Sequence, residues 1–195
     1  MQAGVPLIAN QQAFPSEEPF AERVTRDPQA FLALYDLYFP RVRNYVYYRV
    51  PDPQDADDMT AAVFEQALSH LRRFDPARGP FGAWLFGIAR NLLNQHLRRR
   101  SRRSATPLES AGAQARPGSS PEEMVLSDER RADLQAALEQ LDERSRDLVG
   151  LKFGAQLTNR RIAELTGLSE SNVGVILYRA MHQLRRQLGS QEKDV

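Results

Sequence analysis

Ser171, Asn172, Val175, Tyr178 and Arg179 recur at helical intervals and share one helix face, with Arg185 and Arg186 behind them. Amide and guanidinium groups placed near the start of such a helix suit base edges and phosphates in a major groove. A second polar set, Arg90, Asn91 and Asn94, leads into a run of cations at Arg98, Arg99, Arg100, Arg102 and Arg103. That face and its tail suit a polyanion. A solvated helix end would look similar, because cations also complement a helix C-terminus. A third set, Asp55, Asp57 and Asp58, opens another helical stretch. It fails as a calcium loop: Met59 and Gln66 occupy positions that need strong oxygen ligands, and no glycine stands at the sixth position.

Catalytic chemistry finds no constellation. His70, His96 and His182 fall on three separate helical stretches, and no phosphate-binding glycine loop, HExxH or nucleophile motif occurs. The chain has no cysteine, which removes disulfides, thiolate metal sites and thiol nucleophiles. The reading is of a protein without enzymatic activity, metal or cofactor. No apolar run approaches a membrane span and no signal peptide is evident, so a cytoplasmic location with no membrane insertion is expected. Net charge is only +1 over 195 residues, so the distribution of charge matters more than its sum. Of 26 basic residues only Lys152 and Lys193 are lysine; the arginine forks suit phosphates and guanine edges.

The first of these faces needs a helix-turn-helix to position it. Thr158 caps a helix through Thr166, and Gly167 follows where positive φ is required. Ser169 caps a second helix through Leu188. Ala163 allows close approach, and Ile162, Leu165, Leu168, Val173, Ile176 and Leu177 close a small core. An αα-hairpin with a polar face is the alternative. Upstream, Leu126, Arg130, Leu134, Ala137, Leu138 and Leu141 mark one helix and Asp142–Phe153 another.

The other two faces need a first helical unit. Asp27-Pro28 starts a helix whose stripe is Phe31, Leu34, Tyr35, Tyr38, Val42, Tyr45 and Val46, with Pro40 expected to kink or split it. Asp52-Pro53 starts the acidic helix, with Met59, Val63, Phe64, Ala67, Leu68 and Leu71 inward. Pro80 starts the Arg-tailed helix, whose stripe is Phe81, Trp84, Leu85, Ile88, Leu92 and His96. Residues 104–121 have the Pro, Gly and Ser content of a flexible linker that leaves each unit free to orient. The expectation is an all-α chain of two small helical domains. It divides into an N-terminal extension at 1–26, a helical domain at 27–103, the linker at 104–121, a helix-turn-helix domain at 122–188 and a tail at 189–195.

FLALYDLYFPRVRNYVYYRV, DADDMTAAVFEQAL and GAWLFGIARNLLNQHLRR together resemble region 2 of bacterial RNA polymerase sigma factors of the extracytoplasmic-function (ECF) group. LQAALEQLDERSRDLVGLKF and RIAELTGLSESNVGVILYRAMHQLRRQL resemble region 4. The resemblance covers about residues 28–188. It implies a promoter-specificity subunit, present as a monomer within the holoenzyme, that binds the clamp and flap of core RNA polymerase and recognises −35 and −10 promoter elements. An anti-sigma factor is a further partner it implies. A conventional helix-turn-helix regulator that binds its operator without polymerase is the competing reading.

By position, the resemblance implies −35 contacts from Ser171, Asn172, Gly174, Val175, Tyr178 and Arg179, with backbone contacts from Arg160, Arg161 and Arg185. For the −10 strand it points to Phe74, Arg78, Arg90, Asn91, Asn94 and Arg98, residue types that stack on or hydrogen-bond unpaired bases. The clamp contact falls on Asp55, Asp57, Asp58, Phe64 and Glu65. In the first unit, three positions depart from the family pattern. Ala61 and Ala62 replace polar residues in the clamp helix, and Gln95 replaces a frequent Asp. Trp84 lies on the apolar stripe and is expected in the core.

Overall fold

The computed structural model describes residues 23–24, 27–103 and 132–191. The linker at 104–121, Leu126 and Arg130, and most of the N-terminal extension lie outside them. Three helices form the first unit: α1 (Pro28–Arg49), α2 (Pro53–His70) and α3 (Phe81–Arg103). Two short 3₁₀ turns, Leu71–Arg73 and Pro76–Arg78, join α2 to α3. The second unit holds α4 (132–139), α5 (Glu143–Val149), α6 (Asn159–Thr166) and α7 (Glu170–Gln191). No strand occurs among the described residues.

Local chemistry sets most of the helix ends. Asp27, Asp52 and Asp142 each accept a backbone N–H from the first turn of the helix they precede. Thr158 and Ser169 do the same for α6 and α7. Such caps satisfy amides that have no partner within the helix, each contributing about 1 kcal/mol. Gly167 sits at φ 76°, in the left-handed region that lets its N–H return to Ala163 O and end α6.

Pro40 does not split α1, which runs unbroken for 22 residues. Pro40 and Asp36, whose carbonyl loses its helical donor, both face solvent, so water meets the unpaired oxygen. The stripe of α3 is also rotated from expectation. Phe81, Leu85, Phe86, Ala89 and Leu93 are buried, while Trp84, Ile88, Leu92 and His96 lie half-buried on its edge. The doublets Leu85-Phe86 and Leu92-Leu93 fit either phase, and packing against Tyr38 and Tyr45 of α1 selects one. Leu68, expected inward on α2, is 56% exposed.

The stretch expected as one helix, Asp142–Phe153, changes character midway. After Val149 it widens into a π-helical turn, Gly150–Gly154, closed by Ala155 N–H to Gly150 O at 2.9 Å. This turn packs on α1. A Cβ at Gly154 would stand 2.8 Å from the backbone N and Cα of Tyr45, and one at Gly150 would stand 3.1 Å from the Tyr45 ring. Arg41 donates from Nε and Nη2 to Ala155 O at 2.9 and 2.6 Å. Gln135 on α4 donates to Tyr47 O at 2.6 Å, satisfying a carbonyl of the last turn of α1. The two units therefore dock on one another, and a single apolar core runs through both.

The φ of Gly167 yields a direct test. No neighbour lies within 4 Å of a Cβ built there, so Gly167→Ala meets only backbone strain. It should cost about 1 kcal/mol, read as a lowered urea midpoint with an unchanged slope. A neutral result would contradict the left-handed cap.

Candidate nucleic-acid interface

The helix-turn-helix face forms as its spacing requires. Val173 and Leu177 turn into the core with Ile162, which leaves Ser171, Asn172, Val175, Tyr178 and Arg179 outward. Tyr178 is 74% exposed. Gly174 is half-buried near the Asn159 side chain, and Arg185 is exposed. Arg160 and Arg161 have a carboxylate partner: both donate to Glu164, at 3.3 and 2.7 Å. The Arg161 hydrogen bond is the largest influence holding the Glu164 carboxyl below its ordinary range. A phosphate reaching either arginine must compete with that carboxylate.

The first unit divides its expected contact residues between surface and interior. Arg78, Asn91 and Arg98 are exposed. Phe74 is not: it is 6% exposed, with its ring packed edge-on against Phe81 and tilted on Trp84. This corrects its assignment as a base-stacking residue, because the ring is buried among its neighbours and offers no open face. Trp84, expected in the core, is half-buried. It helps line a groove of about 550 Å³ between the Arg73–Pro80 turn and the second unit, facing Arg78, Arg161 and Glu164.

Arg90 and Asn94 point into a polar cluster that bridges the two units. At its centre is Asp147 of α5, which is 4% exposed. Its Oδ1 accepts from Tyr45 Oη and Arg49 Nη1, each at 2.7 Å, and its Oδ2 accepts from Arg90 Nε at 2.8 Å. Arg49 Nη1 also donates to Asn94 Oδ1 at 3.0 Å, and Arg90 Nη1 to Leu165 O at 3.4 Å. Arg49, 1% exposed, is held by groups from both units. Sequence reading missed Tyr45, Arg49 and Asp147 as a set. The helical spacing marks only the Tyr45 ring, and only tertiary folding joins residues about a hundred positions apart.

On α2, Asp58 and Glu65 are exposed. Asp57 accepts from Arg43 at 3.1 Å, and Asp55 from Arg100 of α3 at 3.4 Å. Phe64 is 7% exposed, its ring against Tyr35 and Phe39. It belongs to the core, which corrects its assignment to the polymerase contact. Leu68 supplies the exposed apolar surface of this helix instead.

These features define a helical protein of two docked units that carries a helix-turn-helix. Comparison with known proteins resolves the family. Residues 34–103 match the family model for sigma-70 region 2, and residues 131–184 match that for sigma-70 region 4. The ECF RNA polymerase sigma factor BldN of Streptomyces coelicolor is 35% identical over 163 residues, covering 83% of this chain and 61% of its own length. ECF sigma factor SigW of Bacillus subtilis is 26% identical over 170 residues, covering 83% and 90%. Among solved structures, the sigma factor RpoE from Bartonella quintana, crystallised with the anti-sigma factor NepR, aligns with a TM-score of 0.66 at 20% identity, covering 83% of this chain and 98% of that one. CnrH, in complex with the cytosolic domain of CnrY, aligns with a TM-score of 0.66 at 23% identity, covering 90% and 99%. The chain belongs to the sigma-70 family of RNA polymerase sigma factors, in its ECF group. That family is a non-catalytic class of transcription initiation factor. Among the described residues no helix is long and apolar enough to cross a membrane.

The buried cluster imposes a pH dependence. Burial, and then the charge of Asp147, pushes the Tyr45 phenol far above its ordinary range. An unfolded chain loses that proton near pH 10, so above this pH it binds fewer protons than the folded chain and stability falls as pH rises. Urea midpoints taken from about pH 9 to 11 should fall more steeply for the native sequence than for Tyr45→Phe. Parallel slopes would show that the phenol is not held protonated.

Proposed function

We propose that the chain binds core RNA polymerase through α2 and directs it to promoters through α7, acting in the cytoplasm as one copy per polymerase. The chain does no chemistry of its own; the polymerase makes RNA. The observation that carries this reading is the outward face of α7, with Ser171, Asn172, Val175, Tyr178 and Arg179 exposed on a capped helix above a closed core. In this reading α7 enters the major groove at the −35 element, and Arg185 meets the backbone. Arg160 and Arg161 join it where phosphate displaces Glu164. On the first unit, Arg78, Asn91 and Arg98 meet the −10 strand, and Asp55, Asp57, Asp58 and Glu65 with Leu68 meet the clamp. The crystallised complexes of RpoE with NepR and of CnrH with CnrY support an anti-sigma partner for this chain as well.

Transcription in vitro on pooled genomic DNA, with core polymerase and with or without the protein, tests the reading. Discrete new 5′ ends that depend on the protein are expected. Tight operator-like DNA binding without polymerase and without new starts would establish a conventional helix-turn-helix regulator instead. Two variants separate the roles. Arg179→Ala should lower initiation from −35-dependent starts about tenfold, the equivalent of one lost bidentate contact, and leave polymerase affinity within about twofold. Asp57→Ala/Asp58→Ala should reverse that pattern, weakening polymerase binding measured by pull-down titration. Equal losses in both assays from either variant would overturn the division of labour.

A further inference from the structure

From Thr158 to Tyr178 the helix-turn-helix is electroneutral. Its charged side chains there are Arg160, Arg161, Glu164 and Glu170, and the cations Arg179, Arg185 and Arg186 come only farther along α7. Both arginines of α6 are engaged by one acid. Arg160 donates from Nε to Glu164 Oε1 at 3.3 Å, and Arg161 donates from Nη1 to Oε2 at 2.7 Å, so each carboxylate oxygen holds one guanidinium. Glu170, exposed at the start of α7, has no ion pair among the described residues.

Burial does not force the pairing on α6. The Arg160 side chain is 80% exposed and that of Glu164 46%. Ion pairs this open to water add little stability, because solvent screens the attraction. They do occupy the N–H donors that a phosphate would use, since carboxylate and phosphate oxygens accept the same guanidinium hydrogen bonds.

We infer that Glu164 is an internal competitor for phosphate that holds down the sequence-independent grip of the helix-turn-helix on DNA. Arg160 and Arg161 then reach the backbone only where a seated α7 holds a phosphate against them. The inference deepens, and rests on, the proposal that α7 enters the major groove.

The start of α6 lies where this exchange can happen. Asn159, its first residue, packs beside α7, with its amide 3.8 Å from a Cβ built at Gly174. In a motif of this kind the first helix crosses the DNA backbone while the second fills the groove. Phosphate contacts supply essentially all non-specific binding, and non-specific sites vastly outnumber any promoter. With Arg160 and Arg161 already paired, the second unit offers a random duplex chiefly the cations beyond Tyr178. At a promoter, base contacts from α7 hold the duplex in place and offset the loss of Glu164 as a partner.

The experiment uses the full chain in four forms: native, Glu164→Gln, Glu170→Gln and Glu164→Gln/Arg160→Ala/Arg161→Ala. The two single variants change net charge equally, but only Glu164→Gln releases arginines. Fluorescence anisotropy reads binding to a labelled, random-sequence duplex of about 20 base pairs, from about 50 to 200 mM salt. Glu164→Gln should bind roughly tenfold more tightly at the lowest salt, with the slope of log affinity against log salt steeper by about one to two. Glu170→Gln should stay within about twofold of native at the native slope, and the triple variant should lose the gain. A carboxylate that merely staples α6 would lower the urea midpoint when replaced and leave the salt slope unmoved. That unmoved slope, equal affinity of native and Glu164→Gln (including no detectable binding by either), an equal gain from Glu170→Gln, or a gain that survives in the triple variant would each overturn the inference. Transcription with core polymerase, run in parallel, separates it from the reading it rests on. New −35-dependent starts with no gain from Glu164→Gln would overturn the competition and leave the promoter reading standing. The full gain with no starts would remove the promoter reading and leave the competition standing.

Discussion

The docked form depends on one carboxylate. Asp147 is buried, and its two oxygens are divided between arginines that are themselves removed from water to different degrees: Arg49 almost wholly, Arg90 partly. A buried guanidinium is tolerable only beside a compensating acid. The first unit holds Arg49 but not its acid, so the arginine takes its counter-charge from across the interface. Tyr45 completes the arrangement by donating to the same oxygen that accepts from Arg49. The two units thus share a charge balance as well as an apolar core.

The elements around this centre are specified by short-range chemistry. Aspartates cap α1, α2 and α5, hydroxyls cap α6 and α7, and Gly167 ends α6. Each acts within four residues of its target. Aromatic rings of α1, α2, α3 and the turn before α3 then lock the first unit: Tyr38 and Phe81, Tyr35 and Phe64, Phe74 and Trp84. The helix-turn-helix needs less, because two capped helices and a tight turn bring Ile162, Val173 and Leu177 together.

The same contrast explains what the sequence made legible. Helix starts at Asp27, Asp52, Thr158 and Ser169, the turn at Gly167 and the outward face of α7 all follow from local spacing, and the structure has them. The family resemblance was legible too, because it resides in ordered motifs. Four features were not. Doublets such as Leu85-Phe86 leave helix phase undecided, so the α3 stripe rotated. The resemblance implies contacts from Phe74 and Phe64, whereas surrounding rings bury both, as the inward stripe already expected for Phe64. Arg49 and Asp147 carry no local signal, since no periodicity reveals that a distant segment will cover them. Linker composition suggested units free to orient, but the flatness that lets them dock comes from Gly150 and Gly154, which look like simple helix weakeners.

The widened turn at Gly150–Gly154 has a mechanical consequence. It lies between two grips on the first unit: Asp147 on one side, held by Arg49 and Arg90, and the Ala155 carbonyl on the other, held by Arg41. A short, hydrogen-bonded segment of this kind resists bending between its ends. Letting go at one end leaves the other still clamped and the glycine surface still seated on α1. The turn is therefore held at both ends and across its glycine face at once.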